Sequence, residues 1–222
     1  MKTYSIAAFA AALLVSGAAQ AAILDFETGY SADKTAIVGD EFEAAFGVTF
    51  SSTFGVNIVK VGGPTNGFVP NDTPVPADAF GDFFLTSNFS KITDLSISYT
   101  TAVAEASFDV ADIDGSGSQL EEFTFTALDA DDNVLATRTV NGNDADAGDA
   151  VVTRIGFSGL SGLISKIDIT GTTAGGTRDI GIAFDNFNTD FDTTTPVPLP
   201  AGLPLAAAAF GALGLLRARR KA

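Results

Sequence analysis

The stretch "EEFTFTALDADDNVLATRTV", Glu121–Val140, decides the fold. Phe123, Phe125 and Ala127 alternate with polar residues, the period-two pattern of a strand with one buried face. Asp129-Ala130-Asp131-Asp132-Asn133 then supplies side chains that favour a chain reversal, because Asp and Asn bond their own backbone. Val134 to Val140 return with β-branched residues, and the whole reads as a β-hairpin.

Working outward, the same pattern recurs in "ILDFET", "FGVTFSS", "VNIVKV", "DFFLTS", "ITDLSISYT", "AEASFDVADI", "VVTRIGFSGL", "ISKIDITG" and "IGIAFDNFNT". These runs are rich in Val, Ile, Thr and Phe, with Gly, Asn and Asp between them. No segment of the body carries a convincing helical period. About ten strands in some 170 residues predict an all-β fold, an antiparallel β-sandwich of jelly-roll type over residues 22–188. Seventeen of the 19 phenylalanines fall between Ala22 and Asp192, and aromatic rings supply a core without disulfides. Gly62 to Asp82, rich in Pro, Gly and Asn, reads as a long loop, and Asn141 to Asp149 as a second, acidic one.

Composition excludes much chemistry. All 27 acidic residues lie between Asp25 and Asp192, where only seven basic residues accompany them, a net charge of −20 for the body. Such a surface repels nucleic acid and anionic membranes, so nucleic acid is excluded as a partner. The chain has no cysteine and no histidine. Disulfides, a Ser-His-Asp triad, a Cys-His pair and the usual His-containing zinc sites are therefore excluded. Carboxylate chemistry and hard-cation sites remain.

The ends read as processing segments. Lys2, the apolar run Ile6 to Val15, and Ala19-Gln20-Ala21 have the layout of a secretory signal helix over residues 1–21, cleaved after Ala21. Residues 189–196 read as a flexible polar linker. Val197-Pro198-Leu199-Pro200-Ala201 follows, then an uncharged apolar run over about 202–216, then Arg217, Arg219, Arg220 and Lys221. The prolines hold the motif extended. The run predicts a single transmembrane helix, somewhat short for a bilayer and helped by snorkelling arginines, with the basic end on the cytoplasmic side.

The order of motif, apolar run and arginine-rich end resembles the VPLPA variant of the PEP-CTERM sorting signal. That resemblance covers about the last 27 residues and implies an exosortase as processing partner. It also implies export across the inner membrane of a Gram-negative, exopolysaccharide-producing bacterium. The precursor would be membrane-anchored, and the mature form would lie at the cell surface or outside.

"FDVADIDGSGSQLEE" is the richest acidic constellation, with Asp109, Asp112 and Asp114 before a Gly-Ser-Gly turn. Calcium takes several oxygen ligands, which such a turn supplies. It is not an EF-hand, because Phe123 falls where the bidentate glutamate belongs. "IAFDNFNTD" sets Asp185 beside Asn186 between Phe184 and Phe187, and "ILDFET" sets Asp25 and Glu27 about Phe26. These ends resemble the terminal strands of jelly-roll carbohydrate-binding modules, which implies an acidic residue near a structural calcium. Asp109, Asp112, Asp114 and Asp185 are the candidate calcium ligands. No catalytic residue is assigned. The expectation is a non-enzymatic envelope or extracellular-matrix protein interacting with exopolysaccharide. The alternative is an extracellular carbohydrate-active enzyme using a carboxylate pair.

Overall fold

The described residues form eleven strands and one helical turn: β1 (Lys34–Ile37), α1 (Glu43–Phe46), β2 (Val48–Ser52), β3 (Val56–Lys60), β4 (Phe83–Ser87), β5 (Thr93–Val103), β6 (Ala106–Ile113), β7 (Glu121–Leu128), β8 (Val134–Asn141), β9 (Gly148–Phe157), β10 (Ile164–Thr173) and β11 (Ala183–Asn188). The computed structural model describes residues 23–62, 80–87, 93–113, 115, 120–174 and 182–188. All of them belong to the first of the chain's two units, Met1–Phe191. Several expectations lie outside the described residues: the signal segment with Ala19 and Ala21, Asp114, residues 63–79 of the long loop, the linker, the motif Val197–Ala201, its apolar run and the basic residues Arg217–Lys221. Among the described residues no helix is long and apolar enough to cross a membrane.

The hairpin forms as predicted. β7 and β8 pair antiparallel around Asp129–Asn133, with Phe125 opposite Arg138. The Asp129 carboxylate accepts hydrogen bonds from the N–H groups of Asp131 and Asn133, both at 2.9 Å, which locks the reversal. Phe123, Phe125 and Ala127 are all fully buried.

Two sheets result, one of six strands in the order β1-β3-β4-β11-β6-β9 and one of five in the order β2-β5-β10-β7-β8. The strand pairings are antiparallel, so the expected all-β antiparallel sandwich is the observed architecture. Apart from the hairpins β3–β4 and β7–β8, consecutive strands lie in opposite sheets. Each strand thus buries its apolar alternation against the other layer. Phe50, Leu95, Ile97, Phe108, Phe125, Ile167 and Phe184 fill the space between the layers. Val59, Phe80, Phe84, Ala111 and Ala183 form a separate, smaller cluster on the other face of the six-stranded sheet.

Two local expectations are corrected. "ILDFET" is not a strand: it makes one isolated bridge, Leu24 to Phe187, and Phe26 takes the left-handed φ of 56°. That backbone turn sends the Phe26 ring into the core against Phe42 at 5.2 Å and Phe187 at 5.7 Å. Conversely, Lys34–Ile37 forms the edge strand β1, whose exposed, four-residue pattern carries too little apolar alternation to announce itself.

Between β1 and β2 the chain passes close to itself. Gly39 has φ +104°, and a Cβ there would stand 1.8 Å from the Phe50 carbonyl oxygen. The Phe50 N–H donates to the Gly39 carbonyl at 2.8 Å, and Glu41 accepts from the N–H groups of Val38 and Gly39. Gly39→Ala is therefore expected to cost roughly 2–4 kcal/mol, from the left-handed backbone plus a displaced backbone oxygen. Gly29 has a similar φ of +94° with open space around it, and Gly29→Ala should cost only about 1 kcal/mol. Chemical denaturation of the two variants checks the ordering; equal losses would refute the close approach.

Candidate functional site

The six-stranded sheet brings two of the sequence-predicted residues together. Asp185 on β11 and Asp109 on β6 are register partners. They point to the outward face, as do Ala183 and Ala111 two residues along each strand. Arg154, the β9 partner of Asp109, donates from Nη1 to its Oδ1 at 2.9 Å and from Nη2 to Ser107 Oγ at 2.8 Å. The other Asp109 oxygen accepts from Asn186 Nδ2 at 3.0 Å. A register shift between Asp185 and Asn188 makes this reach possible. Asn186 has φ 53°, the bulge turns its amide toward Asp109, and Phe187 then drops into the core.

Asp185 is only 1% exposed, and its Oδ1 accepts the N–H of Asn186 at 2.7 Å. The bridge of Leu24 to Phe187 carries Asp25 and Glu27 to the same end of β11. Glu27 is held there by the N–H groups of Asp82 at 2.8 Å and Phe83 at 3.1 Å. Burial pushes the Asp185 carboxyl up to about 9; the charges of Asp25, Glu27 and Asp109 push the same way, while the Asn186 N–H pulls it down. Asp185 is thus a neutral acid at pH 7, enclosed by carboxylates.

Asp112 does not join this group. It sits at a second irregularity of β6, with φ 71°, three residues and about 10 Å along the strand from Asp109. Among the described residues no three acidic side chains are placed to hold one ion. Asp109 is already engaged by Arg154 and Asn186, and Glu27 by the N–H groups of Asp82 and Phe83.

A second feature lies on the outward face of the five-stranded sheet, and no motif in the sequence announced it. Ser51, Ser96, Asp168, Thr126 and Thr137 form one row across its five strands, by successive register pairs. Asp94, Thr170, Thr124 and Thr139 form the next row. Ser51, Ser52, Thr53, Asp94, Ser96, Lys166, Asp168 and Thr170 line an open depression of about 420 Å³ over β2, β5 and β10. Ser52 Oγ donates to Asp94 Oδ1 at 2.5 Å and the Thr53 N–H to Oδ2 at 3.1 Å. Ser96 Oγ donates to Asp168 Oδ1 at 2.6 Å. Lys166 is tied to Asp132 at 2.9 Å and to Asp168 at 3.3 Å. The signal for this face was the alternation itself: its polar half is the half that assembles into a hydroxyl-rich surface.

No protein-family description and no curated protein matches the chain. Among solved structures it is similar to an arabinose-bound α-L-arabinofuranosidase, at 12% identity and a TM-score of 0.38, covering 68% of this chain and 24% of the other. It is similar to the CBM22-1 xylan-binding domain of Xyn10C from Paenibacillus barcinonensis, at 16% identity and a TM-score of 0.32, covering 65% and 85%. It is also similar to the K2 cleaved adhesin domain of Lys-gingipain, at 13% identity and a TM-score of 0.37, covering 76% and 96%. The chain spans about a quarter of the length of the arabinofuranosidase.

Proposed function

We propose that this chain is a non-enzymatic component of the cell envelope or extracellular matrix that holds exopolysaccharide on the outward face of its five-stranded sheet. The observation that carries this reading is the pair of Ser/Thr/Asp rows over the depression at β2, β5 and β10. A polysaccharide presents arrays of hydroxyl donors and acceptors, and a surface of hydroxyls and carboxylates matches them group for group. Among the described residues no aromatic side chain lines the depression, so this face grips by hydrogen bonds and not by ring stacking.

The tail supports the route to that destination. The signal segment exports the chain across the inner membrane, the apolar run holds the precursor there, and an exosortase acting at Val197–Ala201 releases it from its basic end. A structural calcium ion belongs to the same proposal, with Asp185 as its candidate ligand and the remaining oxygens supplied by backbone carbonyls and water.

The test uses the mature protein recovered from the exterior of the producing cells, whose mass should lack Arg217–Lys221. It is expected to show saturable retention on the exopolysaccharide of the same organism, weakened several-fold by Ser96→Ala combined with Asp168→Ala. Clean flow-through would overturn the reading. Release of shorter glycans during incubation would favour the carbohydrate-active enzyme instead.

A further inference from the structure

The depression on the five-stranded sheet has a charge character that its hydroxyls alone do not convey. Asp94 and Asp168 stand diagonally across β5 and β10, since Asp94 pairs with Thr170 and Asp168 with Ser96. Diagonal neighbours in a sheet lie about 7–8 Å apart, so one sugar ring seated between the two meets both carboxylates. The donors to Asp94 are neutral, the Ser52 hydroxyl and the Thr53 N–H, and among the described residues it forms no ion pair. Lys166 is the one cation lining the depression, and its ammonium is held between Asp132 and Asp168. Two carboxylates therefore face the depression against one ammonium that is already shared.

Resting on the exopolysaccharide reading, we infer that this face selects glycans free of carboxylate and other anionic groups, and that Asp94 and Asp168 are the residues that enforce the selection. A carboxylate four ångströms away repels a glycan carboxylate about fourfold more strongly at a partly desolvated surface than in bulk water. A glycan hydroxyl at the same place donates to the Asp oxygens instead, because each oxygen has acceptor capacity beyond the one donor it already has. Repulsion built into a site rejects wrong ligands as effectively as attraction retains right ones. The body's net charge of −20 acts in the same direction at long range, but salt screens that contribution within about 10 Å at 0.1 M. The short-range effect of the two aspartates survives such screening better.

The experiment compares three forms of one polysaccharide, the producing organism's exopolysaccharide as isolated, carboxyl-reduced and carboxymethylated. Each is titrated with the intact mature protein at 0.15 M salt. The carboxyl-reduced form is expected to bind at least tenfold more tightly than the carboxymethylated one. In Asp94→Asn combined with Asp168→Asn, which removes both charges while keeping one acceptor oxygen at each position, the ratio should fall to threefold or less. Equal or tighter binding of the carboxymethylated form would overturn the inference and leave the exopolysaccharide reading standing. An undiminished ratio in the double variant, with its melting temperature unchanged, would overturn the assignment to Asp94 and Asp168. Failure of all three forms to bind would instead bring down the exopolysaccharide reading itself.

Discussion

In the presence of chelator, Asp185→Asn is expected to raise the melting temperature of this protein at pH 8 by about 5–15 °C, corresponding to roughly 2–5 kcal/mol for a body of this size. Asp185 is buried and held protonated, its carboxyl moved from an ordinary 3.8 to about 9. Below about pH 4 both the folded and the unfolded chain carry this proton, and the residue costs nothing. As pH rises from 4 towards 9 the unfolded chain releases the proton and the folded chain keeps it. Stability then falls by up to ~1.4 kcal/mol per pH unit from this group. Asparagine has nearly the same shape, keeps an oxygen for the Asn186 N–H, and has no proton to lose. The variant and wild-type curves should therefore converge near pH 4 and separate as pH rises. A variant that melts lower at pH 8 in the presence of chelator would show that Asp185 is ionised and stabilising.

The same pair of proteins tests the calcium proposal, because a cation at Asp185 inverts the result. Millimolar calcium should raise the wild-type melting temperature through binding to the folded state alone, and leave the asparagine variant unmoved. Identical wild-type melting in calcium and in chelator would end the proposal.

Phe108→Ala is expected to cost about 3–5 kcal/mol and to lower the melting temperature by about 8–16 °C. Phe108 is fully buried on β6, with ring centroids 5.8 Å from Phe125 on β7, 6.3 Å from Phe184 and 5.4 Å from Phe187 on β11. It is where the layers meet, since β6 and β11 belong to one sheet and β7 to the other. Native domains hold only about 5–15 kcal/mol in total, and this chain has no disulfide to limit the unfolded state. One ring thus accounts for a large fraction of the net stability. Phe108→Leu, which keeps most of the apolar volume, should cost about 1–2 kcal/mol by equilibrium denaturation. A Phe108→Ala loss below 1 kcal/mol would show that the layers are held together elsewhere.

Much of the fold was legible because alternation is local. Phe123, Phe125 and Ala127 are two apart, and one buried face is all that such spacing requires. "ILDFET" misled because it has the composition of a strand while it makes a single isolated bridge and its Phe26 takes a left-handed φ. Lys34–Ile37 stayed hidden because an edge strand need not alternate in polarity when neither of its faces is fully buried. Of the candidate ligands, Asp109 and Asp185 meet although they lie far apart in the chain, whereas Asp109 and Asp112, close in sequence, are separated along β6. Proximity in the chain was the wrong guide, because an extended strand carries residues away from one another at about 3.3 Å per position.

The sequence by itself determined the strand pattern, the β7–β8 hairpin, the acidic surface and the absence of thiol and imidazole chemistry, since each is a property of composition or of neighbours along the chain. Only the tertiary structure decided which strands lie side by side. Ser96 reaches Asp168 across 72 positions, Arg154 reaches Asp109 across 45 and Asn186 reaches Asp109 across 77. The physical reason is that a period of two says that a strand has an inside and an outside. Which outsides share a surface follows from packing all the insides together at once, and that choice placed Asp94 beside Asp168 and buried Asp185 among carboxylates.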